Sequence, residues 1–141
     1  MPLKLRDEIP EILRASMERH PACRALLVHF WSFRCSCRNE HLGFVNAMHE
    51  TYGKSGLLQV VGVLIPDGAG GADVREYGVR HPVLIDSGRS VAEAFRNDIL
   101  PSCYVFDAEG KLRHYQAGVR SSALLEQTIR KLIRTSGGVI Q

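Results

Sequence analysis

Residues Ala25 to Glu40 read ALLVHFWSFRCSCRNE. The first seven, Ala25 to Trp31, form an apolar run with β-branched and aromatic members between polar neighbours, too short for a buried helix and well suited to a buried strand. Such a strand delivers Ser32-Phe33-Arg34-Cys35-Ser36-Cys37 to one edge of a sheet. Further on, Leu42, Val45, Met48 and Tyr52 recur at helical spacing, so a helix is expected to begin close to Cys37. Thiols at a strand-to-helix junction are poised for reaction, because the free N–H groups and partial positive charge of a helix N-terminus stabilise a thiolate.

The spacing of the two cysteines constrains what they can do. Residues i and i+2 do not share a helix face, so a Cys35–Cys37 disulfide requires Cys35 to lie in the non-helical turn. The ring would be small and strained, and strained disulfides have more oxidising potentials. Taken alone, the spacing also fits two loop cysteines in a reduced protein.

Composition narrows the function classes. A chain of 141 residues with 45% hydrophobic content can bury a proper core, and a single domain is expected over 1–141, with its core at about 25–133 and residues 1–22 as an N-terminal helical extension. The formal net charge of +3 comes from scattered Lys and Arg without a basic stripe or interleaved aromatics, which argues against nucleic acid as a partner. No stretch approaches eighteen consecutive apolar residues, and MPLKLRDEIPEIL lacks the charged, apolar and small-residue regions of a secretory leader. The expected location is therefore cytoplasmic for the chain as written, and extracytoplasmic if a leader has been removed. Four cysteines, unevenly spaced, suggest catalysis, redox sensing or metal binding rather than a disulfide framework.

Outward from the opening stretch, residues 7–20 predict an amphipathic helix, with Asp7, Glu8 and Pro10 in its first turn and Ile9, Ile12, Leu13, Ser16 and Met17 along one stripe. Pro21 ends it, and Cys23 reads as an incidental small residue. On the other side, Gly53 and Gly56 stop the helix after Cys37, and Leu57 to Ile65 is a nearly continuous apolar run of the kind seen in buried parallel strands. Pro66-Asp67-Gly68-Ala69-Gly70-Gly71 is a turn-rich loop on the same sheet edge as the cysteines, without the residues of a phosphate loop. Asp73 to Glu76 predicts a short helix closed by Gly78, Pro82 to Asp86 a short strand, and Ser90-Val91-Ala92-Glu93 a capping box opening a helix that buries Val91, Ala94 and Phe95. Ile99 to Asp107 reads as a strand entered through Pro101, Ala108-Glu109-Gly110 as a turn, and Lys111 to Ala117 as the return strand. Ser122 caps a final helix with Leu125, Ile129, Leu132 and Ile133 inward, and Ser136-Gly137-Gly138 frays.

In this order the segments resemble the thioredoxin superfamily, and most closely its TlpA-like branch of thiol-disulfide oxidoreductases. Leu27-Val28-His29-Phe30-Trp31 is similar to the strand entering the active site and Val60-Val61-Gly62-Val63 to the next strand. Leu100-Pro101-Ser102 is similar to the cis-proline strand, and Phe106 to Lys111 to the terminal hairpin. The resemblance implies an α/β, thioredoxin-like fold: a central mixed sheet flanked by helices, here with an additional N-terminal helix. The departure lies in the motif, where the family pattern Trp-Cys-x-x-Cys is replaced by Arg34-Cys35-Ser36-Cys37. Glu40, Leu42 and Val45 keep the family's phase after the second cysteine, which aligns Cys37 with the resolving cysteine and Cys35 with the nucleophile across a shortened turn. An ungapped alignment instead puts Arg38 at the resolving position.

The resemblance implies roles for four residues. Cys35 is the nucleophile, with Arg34 beside it favouring the thiolate. Cys37 resolves the mixed disulfide. Pro101 is the cis-proline that lies against the active-site disulfide and offers backbone groups to an extended substrate. His29 stands where thioredoxins keep a buried acid that relays protons, and an imidazole with an ordinary pKa of about 6.5 would do similar work near neutral pH; the alternative is a core histidine bonded to a backbone carbonyl. Cys103 shares a face with Pro101 by alternation and is either packed or a third thiol within reach. His20, His41, His49 and His81 read as surface residues, and His114 has no evident partner. The expected partners are a protein or small-molecule disulfide or thiol and an unidentified redox partner, with no cofactor. Two other functions compete: soft-metal binding through Cys35, Cys37 and His29 or Cys103, and a redox-inactive interaction module.

Overall fold

The computed structural model describes residues 2–18, 22–34, 38–66, 78–118 and 122–135. Its centre is the opening strand, β1 (Ala25–Trp31), every residue of which is buried. The helix α2 (Arg38–Met48) follows, runs into a π-helical turn (His49–Gly53), and leads to β2 (Leu58–Leu64), which lies parallel to β1 with Ala25 opposite Leu58 and Trp31 opposite Leu64. Beyond β2 lies the short parallel strand β3 (Val83–Ile85), and on the other side of β1 lie the antiparallel strands β4 (Ser102–Asp107) and β5 (Leu112–Ala117). The five-stranded mixed sheet therefore runs β3-β2-β1-β4-β5.

Alternation along the strands sorts the core into two layers. Leu26, Val28 and Phe30 point to one face and pack with Val61, Val63, Tyr104 and Phe106 against Leu13 of α1 (Glu11–Glu18) and Val91, Ala92 and Phe95 in and after α3 (Ser90–Ala94). Ala25 and Leu27 point to the other face, which α2 covers with Val45 and Met48 and α4 (Ala123–Thr135) with Leu125, Ile129, Leu132 and Ile133. The expected inward stripe of the last helix is thus the observed one.

The first helix is shorter than residues 7–20. Proline has no N–H and disfavours helical geometry in the residue before it, so the helix starts after Pro10 and the preceding segment stays extended. It joins the hairpin instead: Glu8 forms an antiparallel bridge with Lys111, and the Ile9 N–H donates to the Gly110 carbonyl at 2.7 Å. Gly110 has φ +82, and a Cβ there would meet Ile9 at 3.0 Å, so a bare backbone is needed for this approach. Ile12, expected inward, is 48% exposed, and the side chains of Ser16 and Met17 lie outside the described ones.

A second difference concerns the start of α3. The N-cap is Arg89, with φ 61 and no side-chain cap bond, so Ser90 does not form the expected capping box. The buried Asp86 does that work, accepting from the N–H groups of Val91 at 3.1 Å and Ala92 at 2.9 Å. Ala92 takes the inward position expected of Ala94. The expected helix at Asp73 and the loop at 67–71 lie outside the described residues.

Candidate active site

β1 ends at Trp31 and α2 begins at Arg38, so the sequence places both Cys35 and Cys37 in the connection between them; residues 35–37 lie outside the described ones. The approach to that connection is well defined. The carbonyl of Trp31 accepts from Ile65 N–H at 2.8 Å, which carries the β1–β2 ladder to the end of the strand. Trp31 packs with Leu42, Leu64 and Val79, and Phe33 meets it edge-on with ring centroids 5.6 Å apart. After this apolar footing the chain turns outward, with Arg34 exposed.

Register brings the proline loop to the same place. Phe30 pairs with Ser102, which sets Pro101 beside the end of β1, and the Leu100–Pro101 peptide bond is cis, as the resemblance implies. The Pro101 carbonyl accepts from Gly118 N–H at 2.8 Å, anchoring the far side of the loop, while Ile99 is 42% exposed on its rim.

His29 lies beneath the junction, fully buried on the α2 side of the sheet, between Gly62 on β2 and Cys103 on β4. Its ring stacks on His41 of α2 with centroids 5.8 Å apart, and among the described residues neither ring nitrogen has a hydrogen-bond partner. The alternative of a histidine bonded to a backbone carbonyl is therefore not what these residues form. Burial first, and then the nearby His41 and His81, push its pKa down to about 3. The expected titration near neutral pH is thus corrected: desolvation keeps the ring neutral, able to accept a proton only at an energetic cost.

His81, expected on the surface, is buried at 5% exposure. Its Nδ1–H donates to Asn46 Oδ1 at 2.7 Å; that oxygen also accepts from Arg80 N–H, and Asn46 Nδ2 donates to the Gly78 carbonyl. His81 Nε2 would lie 2.9 Å from a Cβ on residue 62, so Gly62 is the space in which this ring sits. A glycine inside a strand is the sequence signal for such a close approach. Desolvation, followed by the charge of His49, pushes the pKa of His81 down to about 4. His41 and His49 are half-buried rather than exposed, and His114 finds Gln116 Oε1 at 3.4 Å.

Two histidines with lowered pKa values make stability pH-dependent. The unfolded chain takes up their protons near pH 6.5 while the folded chain does not until about pH 4 and about pH 3. Their contribution is complete above pH 6.5 and is lost as the pH falls below it, at up to about 1.4 kcal/mol per pH unit for each ring. Urea denaturation between pH 6.5 and about 5, above the carboxylate range, should show this decline; equal stability at both ends would contradict it.

The remaining cysteines are not poised for reaction. Cys103 is buried and its thiol pKa is pushed up to about 12 by desolvation, and Cys23 donates to the Ala25 carbonyl at 3.1 Å with its pKa also raised by burial. Among the described residues no group of three His, Cys, Asp or Glu side chains is placed to hold a metal ion, and no helix is long and apolar enough to cross a membrane.

No protein-family model matches the chain. It is 30% identical over 146 residues to the thiol-disulfide oxidoreductase YkuV of Bacillus subtilis, spanning 93% of this chain and 97% of that protein. Among solved structures, a thioredoxin-like protein determined in solution in its oxidized form is 29% identical and superposes with a TM-score of 0.77, over 93% of this chain and 97% of the other. A secreted disulfide oxidoreductase of Mycobacterium tuberculosis, 15% identical, shares the fold with a TM-score of 0.62 over 77% of this chain and 82% of its own. Because the likeness to YkuV covers 93% of this chain and 97% of that protein, this chain belongs to the thioredoxin-like thiol-disulfide oxidoreductases and fits their TlpA-like branch.

Proposed function

We propose that disulfide exchange proceeds through Cys35 and Cys37, with the Leu100–Pro101 loop as the platform for a protein or small-molecule substrate. The Cys35 thiolate attacks one sulfur of a substrate disulfide. A Cys35–substrate disulfide forms, and the other substrate sulfur leaves as a thiolate that takes up a proton. Cys37, having lost its proton, then attacks the Cys35 sulfur; the internal disulfide forms and the second substrate thiol leaves. Two electrons pass from the protein dithiol to the substrate, and run in reverse the same steps oxidise a substrate dithiol. A dithiol or disulfide partner protein resets the pair. Neither ring nitrogen of His29 has a partner among the described residues, but burial keeps that ring neutral, so in this reading the Cys37 proton passes to the leaving substrate thiolate. The observation that carries the proposal is the pairing of Phe30 with Ser102, which sets Pro101 beside the end of the strand that runs into the cysteines.

The one-residue spacing also sets an expectation for the potential. A Cys35–Cys37 ring closed over a single residue is small and strained, which disfavours the oxidised form relative to the dithiol. The midpoint potential should lie well above the roughly −270 mV of thioredoxin, and inserting a residue between Ser36 and Cys37 should lower it, about 30 mV corresponding to roughly 1.4 kcal/mol. Equilibration of both proteins against glutathione measures the difference. An unchanged or higher potential in the insertion variant would show that ring strain does not govern the redox behaviour.

A further inference from the structure

The Leu100–Pro101 loop is held from the opposite side of the sheet by one buried amide. The Asn97 side chain, in a residue 6% exposed, follows α3 and is turned back toward the sheet by Arg96, whose φ is 53. The Asn97 N–H donates to the Ala92 carbonyl at 2.9 Å, which fixes the residue to the end of α3. Its side-chain Oδ1 accepts from two hydroxyls, Ser102 Oγ at 2.9 Å and Tyr104 Oη at 2.8 Å, and its Nδ2 donates to the Ile99 carbonyl at 3.1 Å. The Ile99 carbonyl can only accept, so the amide atom facing it is Nδ2 and the amide has a single orientation, with Oδ1 turned to the two hydroxyls. The hydroxyls belong to core residues: Ser102 and Tyr104 are 1% and 0% exposed, and the Tyr104 ring packs against Phe95 at 4.8 Å and Phe30 at 5.6 Å.

We propose that Asn97 is a positioning residue for substrate recognition, aiming the Leu100–Pro101 loop by holding the Ile99 carbonyl while Gly118 holds that of Pro101. The inference rests on the reading of this loop as the substrate platform. Its Oδ1 and Nδ2 do different work. The two hydroxyls are buried and need an acceptor, so Oδ1 serves the core. The bond to the Ile99 carbonyl is only partly buried, whereas both hydroxyl bonds to Oδ1 are buried; losing the Nδ2 donor therefore costs the fold less than losing Oδ1, and the Nδ2 bond adds direction to the loop more than stability to the fold. Leu100 stands between two tethered carbonyls, which gives the backbone offered to an extended substrate a fixed orientation and lowers the ordering cost of binding it.

Asn97→Asp separates the two functions. It keeps an acceptor for Ser102 and Tyr104 and replaces the donor facing Ile99 with an oxygen. With a disulfide-bonded peptide as substrate, KM should rise about tenfold while kcat stays within about twofold, the signature of lost binding rather than lost chemistry. With hydroxyethyl disulfide, too small to span the loop, the exchange rate should stay within about twofold of wild type. The double variant Ser102→Ala, Tyr104→Phe frees the amide from its other end and should give the same split, which keeps the test available if Asn97→Asp does not fold. Equal losses with peptide and small disulfide would overturn the proposal, because they would mark Asn97 as a purely structural residue. Pro101→Ala is the control for the underlying reading: if it leaves the peptide KM unchanged, the loop is not the platform, whereas a raised KM in Pro101→Ala beside an unchanged one in Asn97→Asp overturns the role of Asn97 alone.

Discussion

Cys35→Ser should reduce catalysed disulfide exchange to the rate of the uncatalysed reaction. The reaction needs a thiolate, and a serine hydroxyl neither ionises near neutral pH nor forms the mixed disulfide. No other described thiol can replace it: Cys103 is buried with a pKa pushed up to about 12, and the Cys23 thiol is half-buried with a pKa that burial raises. Cys103→Ala should accordingly retain turnover. The assay is peptide disulfide reduction with a regenerating dithiol. Substantial activity in Cys35→Ser would move the nucleophile to Cys37.

The largest single loss of stability is expected from Phe95→Ala. Phe95 is fully buried and meets Phe30 at 5.0 Å, Tyr104 at 4.8 Å and Phe106 at 5.8 Å, each edge-on. It joins α3 to β1 and β4, so its removal leaves a cavity between helix and sheet that three rigid rings cannot readily fill. A buried Phe→Ala change costs about 3–5 kcal/mol, a large part of the 5–15 kcal/mol typical of a domain. Urea denaturation should show a lowered midpoint with an unchanged slope; a loss below about 1 kcal/mol would mean that the ring cluster does not hold α3 to the sheet.

The central strand was legible because Ala25 to Trp31 is a continuous apolar run whose burial on both faces leaves no other placement, and the observed bounds of β1 are the expected ones. The final helix and the hairpin were legible for similar reasons, through a period near 3.6 in one and a glycine turn in the other. What was not legible depended on partners outside the local pattern. The extended segment before Pro10 is chosen by Lys111 and Gly110 across the hairpin, and the α3 cap comes from Asp86 rather than the adjacent serine. His81 reads as polar until Gly62 opens a space for its ring and Asn46 supplies the acceptor. The cis bond at Pro101 followed from the resemblance, whereas Asn97 carries no local signal: its three side-chain partners lie on the loop and on β4, brought to it by the fold.

The most direct test of exchange through this cysteine pair is the intact mass of Cys37→Ser after reaction with a disulfide-bonded peptide. Without the resolving thiol, the protein should accumulate as a covalent adduct one peptide chain heavier, released by dithiothreitol and absent from Cys35→Ser treated in the same way. Unmodified Cys37→Ser, or an adduct that persists in the Cys35→Ser protein, would contradict attack by Cys35 and resolution by Cys37.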